Sequence, residues 1–82
     1  PLVTWLEKTD ELLYCSEKSG WRHLYLLDAA TGRQKAAVTA GDWVVRGVDR
    51  IDEDARQVWF RACGRNPGED PYHVHHYRVN FD

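Results

Sequence analysis

Three groups of side chains in this chain of 82 residues have types that could do chemistry. The first is imidazole. His73 and His75 stand two residues apart with His76 beside them, His23 stands alone, and Glu69 and Asp70 lie just upstream. Histidines at i and i+2 share one face of an extended strand, so they can chelate a divalent ion if a carboxylate adds a third donor. No Cys or His partner at an established ligand spacing accompanies them. The expectation is therefore that His23 and His75 are packing positions with satisfied nitrogens, and that no metal or other cofactor is held. The second group is Asp49, Asp52, Glu53 and Asp54, which lacks the alternating spacing and distal Glu of a calcium loop and reads as a solvated turn. The third is Arg46, Arg50, Arg61 and Arg65, suited either to lining a channel or to pairing at strand edges. Ser16 and Ser19 do not stand in the Gly-x-Ser-x-Gly context of a hydrolase nucleophile.

These residues must be positioned by strands, because no segment shows an apolar period of 3.6. The clearest strand runs over 21–27. Trp21, His23, Tyr25 and Leu27 fall on one of its faces, and Arg22, Leu24 and Leu26 on the other. Ser19-Gly20 before it suits a two-residue hairpin turn, and Asp28 to Gly32 after it suits a short loop ending in a left-handed glycine. The pattern predicts further strands over 2–6, 11–17 and 33–39. The run ELLYCSE over 11–17 is apolar enough to be covered on both faces, and RQKAAVT over 33–39 has the character of an exposed edge. Beyond the turn at Ala40-Gly41-Asp42, strands are predicted over 43–51, 57–63 and 72–81. A long loop with two Pro and two Gly spans 64–71.

Composition limits the partners. Net charge is −2 and the isoelectric point about 6.1, which argues against a nucleic-acid or anionic-membrane surface built on clustered Lys and Arg. No apolar run approaches the ~20 residues of a membrane span, and the opening Pro1-Leu2-Val3-Thr4 has no basic-then-apolar leader pattern. An opening Pro without Met suggests an excised piece. Cys15 and Cys63 each sit in a strand-like run and read as two buried thiols rather than a bridge.

An internal repeat organises the chain. His23, Tyr25 and Leu27 lie over His75, Tyr77 and Val79 at an offset of 52, and Leu12-Leu13-Tyr14 lies over Val58-Trp59-Phe60 at an offset of 46. The longer loop over 64–71 absorbs the difference. Four short antiparallel strands recurring every ~40–50 residues have the period of a β-propeller blade. The expected fold is all-β: an antiparallel meander with one complete four-stranded blade over 1–40 and three strands of the next over 41–82. Trp5, Trp21, Trp43 and Trp59 are then packing residues between blades. Two blades without neighbours should expose apolar surface and be marginally stable or self-associate.

Within that frame Ser19-Gly20-Trp21-Arg22-His23-Leu24-Tyr25, Thr31-Gly32, Gly41-Asp42-Trp43-Val44-Val45, Asn66-Pro67-Gly68-Glu69-Asp70-Pro71-Tyr72 and Tyr77-Arg78-Val79 resemble the N-terminal β-propeller of the dipeptidyl peptidase IV family of serine peptidases. The resemblance covers nearly the whole chain and is looser over 72–80, where His73 and His76 are extra. It implies a whole protein with an eight-bladed propeller followed by an α/β-hydrolase domain. Such a protein would release dipeptides from peptide N-termini, favouring Pro or Ala at the second position, and would be periplasmic or secreted. This piece is similar to the late blades. No catalytic residue carries over, because the serine elbow is absent. The acidic pair that grips the substrate amine belongs to an earlier blade, and Glu69-Asp70 is no match for it.

The expected role is to wall the catalytic cavity and gate peptide entry. Partners would be the hydrolase domain, the remaining blades and peptide substrates of the whole protein. Arg46, on the strand nearest the propeller axis, is the expected contact to a passing peptide. Asn66, Glu69 and Asp70 of the long loop are the expected contacts to a partner domain or subunit. The alternative is a protein-binding propeller platform with no peptidase attached.

Overall fold

Turn chemistry cuts the chain into short extended segments, and these pair as antiparallel ladders. The structure is a computed structural model that describes residues 3–65, 68–70 and 72–82. Strands β1 (Val3–Leu6), β2 (Glu11–Ser16), β3 (His23–Asp28) and β4 (Gln34–Ala37) form one sheet in the order β1-β2-β3-β4. Strands β5 (Val44–Asp52), β6 (Gln57–Cys63) and β7 (Val74–Asn80) form a second, ordered β5-β6-β7. Every pairing is antiparallel. Among the described residues no helix is long and apolar enough to cross a membrane.

The all-β expectation holds, and the differences lie at strand ends. The connection before β3 is a loop over 17–22 rather than a two-residue hairpin turn. Gly20, at φ +90°, donates its N–H to the Glu17 carbonyl at 2.9 Å, and Ser19 Oγ donates to the Trp21 carbonyl at 3.1 Å. Trp21 is thereby kept out of the ladder. The turn after β3 forms as its sequence predicts. Ala30 N–H donates to Asp28 Oδ1 at 2.9 Å, and Gly32, at φ +73°, donates to the Asp28 carbonyl at 2.7 Å. In β2 only alternate residues are fully buried, so the strand covered on both faces is instead β3, where His23, Leu24, Tyr25 and Leu26 are all buried. The edge character expected of β4 is observed.

Strand β5 departs furthest from simple alternation. Its register with β6 skips Arg46 between Val45 and Gly47, and Asp49 between Val48 and Arg50. Each skip leaves an extra residue on β5, as in a β-bulge, and each turns the strand by one position. As a result Val45, Val48 and Ile51, three apart, all join the core side, while Arg46 and Asp49 are left outside.

The core lies between the sheets. Leu13, Cys15, Leu24 and Leu26 of the first sheet meet Val45, Val58, Phe60 and Ala62 of the second, with Leu6 and Phe81 at the ends. Cys15 and Cys63 are buried free thiols. One backbone bond ties the sheets together, Val45 N–H donating to the Arg22 carbonyl at 2.8 Å, while Phe81 N–H donates to the Arg56 carbonyl at 2.8 Å and extends the β6–β7 pairing within the second sheet. The faces that meet are unlike. Phe60 pairs across β6–β7 with Tyr77, and Val58 with Val79, on the inner face of the second sheet. The pairs at the matching repeat positions, Tyr14 with Tyr25 and Leu12 with Leu27, lie on the outer face of the first sheet.

Candidate functional site

Arg46 is placed by its bulge. The extra residue cannot join the ladder, so its guanidinium is free to project from the face. It is exposed and lines an open hollow of about 360 Å³ with Glu17, Arg22, Val44 and Val45. Arg46 makes no ion pair or ring contact among the described residues. The other three arginines are engaged. Arg50 lies over the Trp59 ring at 4.5 Å, Arg61 pairs with Asp49 at 2.9 Å, and Arg65 lies over Trp43 and Tyr77 at 5.2 and 4.7 Å. A hollow with two guanidinium groups and one carboxylate has a net positive lining and suits a chain carrying an acidic group.

The long loop does not share that hollow, so the structure keeps the two expected contact regions apart. Asn66 lies outside the described residues. Asp70 is used in building the turn: Tyr72 N–H donates to its Oδ1 and His73 N–H to its carbonyl, both at 2.9 Å. Gly68, at φ +84°, supplies the left-handed step before it. The loop thus folds back over the start of β7, and Glu69 Oε2 comes within 2.9 Å of His75 Nε2. His73 and His75 stack with ring centroids 4.7 Å apart and planes 14° from parallel. His76 points to the opposite face, where its Nδ1 is 3.5 Å from Asp49.

His23 and His75, paired by the repeat, have different surroundings. His23 is 2% exposed, and its Nε2 is 2.8 Å from the Gly41 carbonyl. A carbonyl only accepts, so the proton is assigned to Nε2. Nδ1 then accepts from the Thr39 hydroxyl at 2.9 Å, while that oxygen accepts from Leu24 N–H at 3.0 Å. His23 is thus the satisfied packing histidine that its sequence context predicts. His75 is half-exposed at the loop. Between them runs a chain of ring contacts through Trp43, Phe60 and Tyr77. Trp43 and Trp59 are half-buried, whereas Trp5 and Trp21 are exposed.

The acidic turn disperses. Lys8 Nζ pairs with Asp54 and its backbone N–H donates to Glu53, while Asp52 Oδ1 accepts from Ala55 N–H at 3.0 Å. The charge that composition did not reveal is Glu11, 1% exposed. Arg56 Nη1 donates to it at 2.9 Å, and Lys35 and Thr9 also donate. Hydrogen bonding from Arg56 outweighs the cost of burial and holds the carboxyl at about 2. In return the bonds from Glu11 and then Asp82 raise Arg56 above its usual range. Glu17 and Arg22 of the Arg46 hollow were equally unmarked in the sequence, because no local spacing places them beside β5.

Comparison with known proteins assigns the chain. The family described as the dipeptidyl peptidase IV (DPP IV) N-terminal region matches residues 1–82. A probable dipeptidyl peptidase 4 of Aspergillus clavatus is 36% identical over 62 residues, 76% of this chain. A probable dipeptidyl peptidase 4 of Neosartorya fischeri is 32% identical over the same share, and one of Arthroderma benhamiae is 30% identical over 82% of the chain. In each case the chain spans about 8% of the relative's own length. The sequence features and these matches agree: this chain belongs to the dipeptidyl peptidase IV N-terminal region family.

Proposed function

We propose that the two sheets are neighbouring blades of a β-propeller in a dipeptidyl peptidase IV-like serine exopeptidase, where they wall the catalytic cavity and gate peptide access. The observation that carries this reading is the meeting of unlike faces. Two repeats related by a two-fold axis would bury the same face of each. Here the inner face of the second sheet packs on the opposite face of the first, the head-to-tail relation by which blades follow one another around an axis. The register agrees: Ser16 pairs with His23 as Ala62 pairs with His75, at the two offsets of the repeat. The family's α/β-hydrolase domain and remaining blades would be the partners in such a protein, which would be periplasmic or secreted. Glu69 and Asp70, with Asn66, would face one of those partners from the loop. Arg46 would meet the passing peptide, because its bulge projects it from the first strand of its sheet into the Glu17–Arg22 hollow.

The test is Arg46→Glu in the full-length protein, assayed with a Gly-Pro chromogenic substrate and with peptides of ten or more residues carrying an acidic group. Losing one exposed charge contact is worth about 1 kcal/mol and the new carboxylate adds repulsion, so KM for the long acidic peptides should rise at least roughly fivefold. The small substrate, which makes no contact along the wall, should be unaffected. Equal effects on both substrates, or none on either, would refute gating by Arg46. A full-length protein that binds peptides but turns over neither substrate would instead be the protein-binding platform.

A further inference from the structure

The geometry points to a zinc-class divalent metal site formed by Glu69, His73 and His75. The ligand atoms of these three side chains all lie within 4.8 Å of one another. An i, i+2 histidine pair is common on strands without any metal, and two donors select no ion. The fold adds the third donor, since the turn built on Asp70 returns the loop over β7 and brings the Glu69 carboxylate to His75. His73 and His75 stand beside each other with near-parallel rings, and a tilt of either ring turns its in-plane lone pair toward an ion shared with the other. Glu69 and His73 are exposed and His75 is half-exposed, so the side chains have room to rotate toward bond lengths of about 2.0–2.2 Å.

The donor set chooses the ion. Two imidazoles and one carboxylate suit Zn²⁺ or a neighbouring transition ion, whereas Mg²⁺ and Ca²⁺ want a shell of oxygens. Three protein ligands leave a fourth tetrahedral position for water. The ion takes the place of the direct His75–Glu69 contact, and it cross-links the loop to β7, the edge strand of its sheet. It acts as a clip that fixes the loop, and it stands independently of the propeller reading.

The experiment uses the full-length protein, stripped with chelator and titrated with zinc sulfate. Wild type should bind one more zinc per chain than the His73→Gln/His75→Gln variant. Glu69→Gln, a milder change in an exposed loop, should weaken that added site at least about tenfold, the scale at which even outer-sphere partners matter. X-ray absorption of the added zinc should show nitrogen and oxygen neighbours only, and millimolar magnesium should not displace it. Zinc should raise the melting temperature of wild type and leave that of the double variant unchanged. Equal zinc counts in wild type and variant, a sulfur neighbour from Cys15 or Cys63, displacement by magnesium, or an unmoved wild-type melting temperature would each overturn the site.

Discussion

Glu11 shows how much one residue can depend on distant ones. It opens a strand whose other residues are mostly apolar, and it is itself 1% exposed. A buried carboxylate of this kind is tolerable only when it is paired and hydrogen-bonded. Lys35 and Arg56, its cationic partners, lie 24 and 45 residues along the chain, so no local spacing announces them. The pH dependence follows from the sign of its shift. The carboxyl titrates near 4.5 when unfolded and about 2 when folded, so folding favours the ionised form. The stabilisation is complete above the unfolded value and is lost as pH falls from there through about 2. It is worth about 3 kcal/mol. Urea unfolding from pH 7 to pH 2 should therefore show wild type losing stability over that window. Glu11→Gln should be less stable at pH 7 by a similar amount and flatter in the acid limb. If the two profiles ran parallel, the acid sensitivity would belong to other carboxylates.

Strands carried most of what the sequence could express. Strand β6 lies where alternation and flanking turns predict it, because Val58, Phe60 and Ala62 on the core side alternate with less buried neighbours. Strand β5 does not alternate, since two bulges bring Val45, Val48 and Ile51 to the same side at a spacing of three. No period of 2 or 3.6 describes that, so neither the aim of Arg46 nor its hollow was legible. Gly41 before β5 and Gly47 within it separate two kinds of constraint. A Cβ on Gly41 would stand 2.4 Å from Trp43 Nε1, and its φ of +127° disfavours any side chain. The Trp43 ring is held between His23, Phe60 and Arg65, so it has little room to give. A Cβ on Gly47 would stand 2.2 Å from Arg61 Nη2, the tip of a long, partly exposed side chain that can swing aside. Gly41→Ala should thus lower stability by about 2–3 kcal/mol and Gly47→Ala by less than about 1 kcal/mol. Denaturant midpoints at constant m-value measure both. The reverse order would mean that Arg61, not Trp43, is the rigid wall.

For the whole molecule, the antiparallel meander was the legible signal, because turn residues mark the strand ends locally, whereas the packing of one sheet on the other was not. The two outer faces that this packing leaves are chemically different. Val3 and Trp5 of β1 pair opposite Tyr14 and Leu12, which places all four on the outer face of the first sheet. Val3 is 53% and Trp5 58% exposed. The outer face of the second sheet instead carries Arg50 over Trp59, with Arg61, His76 and Arg78 beside them. That face is polar, with Arg61 already paired to Asp49, so two copies of it bury little by meeting, whereas two copies of the apolar face cover Val3 and Trp5. In a longer propeller the apolar face would be covered by a preceding blade; in the 82-residue chain by itself the nearest equivalent is a second copy. Such a contact is isologous and closes at two chains rather than growing into a fibre. Sedimentation should therefore show a concentration-dependent species of twice the 9.6 kDa chain mass and no larger series. Trp5→Glu combined with Tyr14→Lys should return it to monomer, since neither side chain belongs to the buried cluster between the sheets. A wild-type chain that sediments as a monomer at every concentration would mean that this face needs no cover.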